Sequence, residues 1–168
     1  MSKLFVAILM GSESDLPVMQ STLEVLKKLE IDYEVRISSA HRTPAATHQY
    51  VTEADQRGCA VFIAAAGLAA HLAGAVAANT IKPVIGVPLD AGPLQGMDSL
   101  LSTVQMPGGI PVACVAIGKA GAKNAAYLAA QILAAGDAEL AARLVADRKN
   151  NAESIIARND VLQEELNS

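Results

Sequence analysis

The side chains best suited to chemistry lie in two short polar segments, each of which follows an apolar run. His41 and Arg42 stand together in residues 38–44, Ser-Ser-Ala-His-Arg-Thr-Pro, and a Gly-Ser-Glu-Ser-Asp turn occupies residues 11–15. Histidine gives and takes protons near neutral pH, and the arginine guanidinium offers a planar fork to a phosphate group. If both segments lie at the same edge of a parallel sheet, they form one pocket for a phosphorylated small molecule.

The 11–15 turn has two interpretations. Backbone N–H groups at a helix start favour a phosphate, and the carboxylate of Asp15 is suited to a pair of ribose hydroxyls. The simpler alternative is that Ser14 or Asp15 only caps the helix. For His41 and Arg42 the alternatives are a bystander imidazole and a surface charge, but their position between a strand and a helix favours a functional pair.

A third segment, residues 64–74, consists almost entirely of small residues, Ala-Ala-Ala-Gly-Leu-Ala-Ala-His-Leu-Ala-Gly. Small side chains allow the backbone to approach a ligand, and a helix starting near Ala70 could direct N–H groups at a carboxylate. His71 is then either a second ligand contact or a histidine satisfied within the core. Three other polar side chains are predicted to be surface groups: His48, Lys119 and Lys123.

The hydrophobic pattern predicts five strand–helix units that position these segments. Continuous apolar runs predict buried parallel strands, at residues 4–10, 33–38, 60–66, 83–87 and 112–118. Helical spacing predicts helices, two of them with proline in the first turn, at residues 17–29, 44–57, 70–80, 97–106 and 120–135. The fold class is therefore α/β, a three-layer αβα sandwich with a central parallel sheet, flavodoxin-like or Rossmann-like, and ligands bind beyond the carboxyl ends of its strands.

The chain is predicted to be one domain over residues 1–168, with an αβα core at 1–135 and a helical extension at 137–166. Asp137 is the predicted cap of the last helix. An apolar stripe continues along this helix beyond the core, at Leu140, Leu144, Ile155, Leu162 and Leu166. Such a stripe needs a partner surface, which is either another subunit of a homo-oligomer or the helix's own subunit.

Composition narrows the function classes. The net charge is −4 and aromatic residues make up 3 % of the chain, so neither a basic stripe nor stacking aromatics for nucleic acid is expected. Cys59 and Cys114 lack zinc-site spacing and are predicted to be buried, reduced thiols. No apolar run reaches the ~20 residues of a membrane helix, and no export signal is visible. We expect a soluble cytoplasmic protein without membrane, nucleic-acid or metal partners.

Seven motifs occur in the order known from one family, namely Gly-Ser-Glu-Ser-Asp (11–15), Ser-Ala-His-Arg-Thr-Pro (39–44), Ala-Ala-His-Leu (69–72), Pro-Val-Ile-Gly-Val-Pro (83–88), Asp-Ser-Leu-Leu-Ser (98–102), Val-Gln-Met-Pro-Gly-Gly-Ile-Pro-Val (104–112) and Ala-Ile-Gly-Lys-Ala-Gly (116–121). Over residues 4–135 the chain resembles the class I N5-carboxyaminoimidazole ribonucleotide mutases of bacterial purine biosynthesis. The resemblance implies an isomerase without cofactor or metal. Such an enzyme moves the carboxylate of N5-carboxyaminoimidazole ribonucleotide from the exocyclic nitrogen to carbon 4 of the imidazole ring. The CO2 released in between is retained.

The resemblance also implies roles for particular residues. The catalytic residue is His41. The ribose phosphate is held by Ser12, Ser14, Asp15 and Arg42. The imidazole and carboxylate end is lined by Ala69, Ala70, His71 and Leu72, and the remaining substrate contacts are Ser39, Ala40 and Gly67. The family assembles as a homo-octamer with active sites at subunit interfaces, and its C-terminal helix reaches a neighbouring subunit.

The chain departs from the family pattern near the CO2 end. Leu68 stands where a second glycine is usual, Ala73 replaces a proline, and Asp90 and Gly92 occupy a loop that more commonly carries Gln and Ser. Two alternative functions remain open at this point. One is the class II reaction, direct carboxylation of aminoimidazole ribonucleotide with CO2, and the other is a non-catalytic sensor of a sugar phosphate.

Overall fold

The computed structural model describes residues 4–167 and contains one five-stranded, all-parallel sheet with the order β2-β1-β3-β4-β5. The strands are β1 Phe5–Met10, β2 Tyr33–Ile37, β3 Cys59–Gly67, β4 Val84–Leu89 and β5 Ala113–Cys114. The helices are α1 Leu16–Lys28, α2 Pro44–Gln56, α3 Leu72–Ala77, α4 Met97–Val104, α5 Gly118–Ala134 and α6 Ala138–Leu166. This strand order is that of flavodoxin-like folds, so the predicted fold class is confirmed. The ends of the predicted 1–168 domain, residues 1–3 and 168, lie outside the described residues.

Helices cover both faces of the sheet. On one face, α1, α5 and the start of α6 pack over the central strands, and on the other face α2 and α3 do so. Every residue of β1 and β4 is buried as a result, which explains why these strands read as continuous apolar runs. Alanines at Ala122, Ala126 and Ala130 let α5 lie close to the sheet. The core therefore holds the carboxyl ends of β1 and β3 rigidly side by side.

Two predicted elements are shorter in the structure. The fifth strand was expected at 112–118 but pairs with β4 only at Ala113 and Cys114. The chain then turns against α5, and a Cβ at Gly121 would lie 1.5 Å from the Ala116 carbonyl oxygen. Since Gly118 adopts a φ of 71° and begins α5, the strand cannot continue beside β4.

The third helix was expected at 70–80 and spans only Leu72–Ala77. At its end, the Asn79 side chain donates to the Ala75 carbonyl at 2.7 Å, which satisfies a terminal carbonyl of the helix. At its start, Ala70 is buried in the preceding loop. The loop before α3 is therefore longer than the sequence indicated.

The last helix begins at the predicted cap, because the Asp137 carboxylate accepts hydrogen bonds from the N–H groups of Glu139 and Leu140 at 3.0 and 2.9 Å. Leu140 is buried against the core. Farther along, Ile155 and Leu162 are 62 % and 49 % exposed. The alternative in which this helix folds back onto its own subunit is therefore wrong for its distal half.

Other surface predictions are mixed. Lys119, Lys123 and His48 are exposed, as expected, although the His48 ring also bonds to the Asn79 side chain. Both cysteines are free thiols, but only Cys59 is buried, whereas Cys114 on the edge strand is half-buried. Within residues 4–167, no helix combines the length and apolar character needed to cross a membrane. Over the same range, no three His, Cys, Asp or Glu side chains cluster as metal ligands would.

Candidate active site

A cavity of about 490 Å³ opens at the carboxyl ends of β1, β2 and β3. All but one of the predicted site residues line it, namely Ser12, Ser14, Asp15, Ser39, Ala40, His41, Arg42, Gly67, Ala69, His71 and Leu72. The exception is Ala70, which is 2 % exposed and points its carbonyl toward the Thr103 hydroxyl at 3.5 Å. Its burial places Ala70 behind the residues that line the cavity, so its contact with a substrate stays a prediction.

The first turn is held in shape by its own side chains. The Ser12 N–H donates to Asp15 Oδ2 at 3.0 Å, and the Ser14 N–H donates to Ser12 Oγ at 3.3 Å. These reciprocal bonds form a capping box around a 3-10 turn, Glu13–Asp15. Asp15 makes no side-chain cap bond to α1. Asp15 therefore stabilises the 3-10 turn and not the first turn of α1, although it occupies the N-cap position of that helix.

Asp15 occupies a partly buried position at this turn. Burial raises the pKa of the Asp15 carboxyl above its ordinary value, even though hydrogen bonds from the Ser12 and Gly11 backbone and the charge of Arg42 act in the opposite direction. The folded protein thus disfavours the ionised form of this side chain. A ligand that donates hydrogen bonds to Asp15, such as a ribose, would offset part of that cost.

Arg42 joins the second segment to the first. Its Nη2 donates to the Gly11 carbonyl at 2.9 Å, and its Nε donates to Ser39 Oγ at 3.4 Å. Ser39 is itself fixed, because its N–H donates to Thr43 Oγ1 at 3.0 Å just before α2. The guanidinium therefore lies beside the 11–15 turn. This contact confirms that the two polar segments form one pocket.

His41 and His71 meet at the centre of the cavity. His41 Nε2 lies 2.7 Å from His71 Nδ1, and the rings are nearly perpendicular, at 78°, with centroids 4.9 Å apart. Both side chains are exposed, so the interpretation of His71 as a core histidine is wrong. A hydrogen bond between two imidazoles needs one donor and one acceptor. The bond therefore requires one facing nitrogen to donate and the other to accept.

Four cavity-lining residues lie outside the predicted set, namely Gly11, Ala66, Leu68 and Ala91. Gly11 contributes the carbonyl that accepts from Arg42. Ala91 follows β4 and reaches the cavity from the fourth strand. The glycine- and proline-rich composition of residues 90–96 was the available signal, since loops at this edge of a parallel sheet border the ligand crevice.

The lining residues divide the cavity into a polar end and an apolar end. Among them, Arg42 is the permanent cation and Asp15 the carboxylate, and both lie with the serines of the first turn. The opposite end is formed by small and aliphatic side chains of the loops after β3 and β4. The two histidines line the same cavity and contact each other. This arrangement suits a ligand with a phosphorylated sugar at one end and a small planar ring at the other.

Residues 5–154 match the family model described as AIR carboxylase. The chain belongs to this family. It is 52 % identical over 157 residues to the N5-carboxyaminoimidazole ribonucleotide mutase of Bacillus subtilis, covering 94 % of this chain and 97 % of that protein. The protein of the same name from Saccharolobus solfataricus is 53 % identical, with 96 % and 97 % covered, and the one from Escherichia coli K12 is 50 % identical, with 92 % of each covered.

Solved structures of the family have the same fold. The crystal structure of Treponema denticola PurE2-S38D superposes with a TM-score of 0.84 at 32 % identity, covering 94 % of this chain and 97 % of that one. A second structure, Treponema denticola PurE, gives a TM-score of 0.82 at 33 % identity, with 94 % and 98 % covered. Family membership and fold thus agree over nearly the whole described chain.

Proposed function

We propose that this protein is an N5-carboxyaminoimidazole ribonucleotide mutase, an isomerase of de novo purine (IMP) biosynthesis that acts in the cytoplasm. The observation that carries the proposal is that His41 lines one cavity together with Arg42 and the serines of the first turn and with the small residues that follow β3. Relatives about 50 % identical over more than nine tenths of the chain bear this name. The substrate is N5-carboxyaminoimidazole ribonucleotide and the product is its 4-carboxy isomer.

The polar end binds the ribose phosphate. Arg42 contributes charge-assisted hydrogen bonds to the phosphate, and the hydroxyls of Ser12 and Ser14 add neutral ones. Asp15 accepts hydrogen bonds from the ribose hydroxyls. These bonds would offset the cost of burial, which raises the pKa of this carboxyl. Ser39 orients the guanidinium through its contact with Nε. These interactions fix the sugar so that the imidazole ring lies beside the two histidines.

The opposite end encloses the imidazole and its carboxylate. Ala40 lies beside His41 in the loop after β2, and Gly67, Ala69 and Leu72 enclose the ring from the β3 side. These residues offer close contact and little water. A dry site keeps CO2 near the ring and prevents its loss to solvent.

His41 moves one proton in each direction. As imidazolium it protonates the carbamate nitrogen, the N–C bond breaks, and CO2 and neutral aminoimidazole ribonucleotide result. Carbon 4 of this electron-rich ring then attacks the CO2 and forms the new C–C bond. Neutral His41 removes the proton from carbon 4, which restores aromaticity and regenerates imidazolium. The net reaction is an isomerisation that consumes no proton or electron.

We infer a homo-octamer with active sites at subunit interfaces. The support is the exposed apolar surface of the single subunit. Besides the distal part of α6, α4 exposes Met97, Leu101 and Val104, and contiguous apolar surface of this kind marks interaction sites. The cavity with its exposed histidines is open toward solvent in one subunit, and a neighbour would complete it. Light scattering of the purified protein should give the mass of eight chains.

The decisive assay follows conversion of the carbamate substrate by ultraviolet absorbance, without added bicarbonate. Turnover under these conditions supports the mutase, whereas a strict requirement for bicarbonate and aminoimidazole ribonucleotide would support direct carboxylation. Tight binding of the nucleotide without turnover, unaffected by His41→Asn, would support the sensor. Inactivation by His41→Asn with normal ligand binding is the result expected from the mechanism above.

A further inference from the structure

Two loops interlock at the apolar end of the cavity. One loop joins β3 to α3 (residues 68–71) and the other joins β4 to α4 (residues 90–96). A Cβ atom at Gly67, the last residue of β3, would lie 2.6 Å from Ala91 Cβ, and one at Gly92 would lie 2.6 Å from Leu68 Cδ2. Both distances are too short for a Cβ contact, so a side chain at either glycine would force its neighbour to move. The Ala91 methyl group therefore lies over Gly67, and the Leu68 side chain lies over Gly92.

The backbone conformation at Leu68 is unfavourable for a leucine. Its φ of 56° is in the left-handed region, which disfavours residues that carry a Cβ atom. Its side chain is 52 % exposed and lines the cavity, so burial in the core does not account for it either. Strained positions of this kind concentrate where function requires a particular side chain.

Leu68 and Gly92 are neighbours across the two loops. The Leu68 side chain fills the space that a Cβ atom at residue 92 would occupy. Gly92 has a φ of 92°, which glycine adopts without cost. The backbone conformation therefore favours glycine at 92, and the absence of a side chain there leaves room for Leu68.

We propose that Leu68 is a positioning residue whose side chain, packed against Gly92, closes the apolar end of the cavity. It thereby keeps the CO2 intermediate beside the imidazole ring of the substrate. This inference rests on the proposed mutase function. Gly67, Leu68, Ala69 and Ala91, here called the apolar wall, present no polar side chain to the cavity. CO2 is small and uncharged, so close apolar packing, and not hydrogen bonding, limits its escape.

The competing step is loss of CO2 to solvent after the N–C bond has broken. The nitrogen has already received its proton at that point, so the molecule left behind is aminoimidazole ribonucleotide. Each intermediate then either forms the C–C bond or loses CO2. Shortening Leu68 should shift this partition toward loss without affecting the first proton transfer, because Leu68 takes no part in binding the phosphate.

The test compares Leu68→Ala and Leu68→Gly with the unmodified protein in buffer containing ¹³C-bicarbonate. The carbamate substrate is unlabelled, and mass spectrometry measures label in the 4-carboxy product and the amount of aminoimidazole ribonucleotide. We expect the unmodified protein to give mostly unlabelled product. Both variants should consume the carbamate at a similar rate but release several-fold more aminoimidazole ribonucleotide and incorporate several-fold more label.

Two further variants separate this role from a structural one. Ile81→Ala removes the same number of carbons from a side chain that is 98 % exposed and outside the cavity. In this variant the fraction of intermediate that loses CO2 should equal that in the unmodified protein. Leu68→Met keeps an apolar side chain of similar length at this position, so this variant should retain CO2 as the unmodified protein does. Leu68→Gly should unfold at no lower temperature than Leu68→Ala, because glycine relieves the left-handed strain.

Equal partition of CO2 in the unmodified protein, Leu68→Ala and Leu68→Gly would overturn the inference while leaving the mutase function intact. A general loss of conversion with an unchanged label ratio would likewise overturn it, since that result assigns Leu68 a merely structural role. If the unmodified protein failed to convert the carbamate at all, the proposed function would fail first, and this inference with it.

Discussion

Replacing His41 by asparagine removes the side chain to which we assign both proton transfers and should leave the fold in place. General acid–base catalysis contributes about 10²–10⁴-fold to a rate, which corresponds to about 3–5 kcal/mol of barrier at 1.36 kcal/mol per tenfold change. We expect kcat of His41→Asn to fall by that factor, with a much smaller change in KM because the phosphate contacts remain.

The hydrogen bond between His41 and His71 allows a second test of this prediction. His41 Nε2 and His71 Nδ1 are 2.7 Å apart, and one net hydrogen bond is worth about 1 kcal/mol, or about fivefold in rate. If His71 acts by holding the His41 ring, His71→Asn should cost at least this factor alone. It should cost little more in a protein that already carries His41→Asn, because residues acting as a unit are not additive.

Stability provides the control for these variants. Both histidines are exposed, and surface substitutions change the free energy of unfolding by about 0.5 kcal/mol or less. With about 2.1 cal/mol/K of unfolding entropy per residue, a chain of 168 residues has about 0.35 kcal/mol/K. Tm should therefore move by no more than about 1–2 °C in calorimetry.

Two results would refute the reasoning. A kcat for His41→Asn close to that of the unmodified protein would remove His41 from the proton transfers. An equal loss from His71→Asn in both backgrounds would show that His71 acts independently of His41, for example by touching the substrate itself.

Three other substitutions test the polar end and the edge of the core. Asp15→Asn should raise Tm at pH 7, because burial holds the Asp15 pKa above its ordinary value and the folded state disfavours the carboxylate; the gain should shrink as the pH falls through the raised pKa, while substrate affinity drops. Arg42→Lys loses the planar fork and the bond to the Gly11 carbonyl, and at about 1.5–3 kcal/mol per charged hydrogen bond KM should rise roughly 10- to 100-fold, with a smaller effect on kcat. Asp147→Asn should lower Tm at pH 7, since burial would raise the Asp147 pKa but the hydrogen bonds from Lys28, Tyr127 and Asn151 together with the Lys28 charge outweigh it and hold that pKa below its ordinary value; this stabilisation is present above the ordinary pKa and is lost as the pH falls through the lowered one.

Each of these three has a contradicting result. A lower Tm for Asp15→Asn at pH 7 would show that the ionised carboxylate is favoured in the fold. An unchanged KM for Arg42→Lys would show that the fork geometry at the phosphate is unimportant. A Tm difference for Asp147→Asn that stays constant from pH 7 down to pH 3 would show that the charge of this side chain makes no net contribution to stability.

The elements that were predicted best are those with strong local signals. Residues 4–10 and 83–87 read as buried strands because both faces of β1 and β4 are covered, and the structure confirms both. The ends of α3 and the length of β5 were predicted poorly. Their limits depend on the Asn79 side chain and on the close approach of Ala116 to Gly121, which are contacts rather than local preferences.

The candidate site shows the same division. The positions of His41 and Arg42 at the sheet edge could be predicted, because a polar segment between a strand and a helix has few other places in an α/β fold. The burial of Ala70 could not be predicted, since a run of small residues does not show which of them faces the cavity. Ala91 was missed because the composition of residues 90–96 indicates a loop but not its contact with the loop after β3.

The sequence by itself determined a parallel α/β sheet with a polar turn and a histidine at its edge, because hydrophobic period and turn residues act over a few neighbouring positions. Only the tertiary structure decided that His41 lies within hydrogen-bonding distance of His71, that Arg42 donates to the Gly11 carbonyl, and that Leu68 lies on Gly92. These contacts join residues far apart in the chain. They exist because β1 lies between β2 and β3, with β4 beside β3, so that four loops converge at one edge of the sheet.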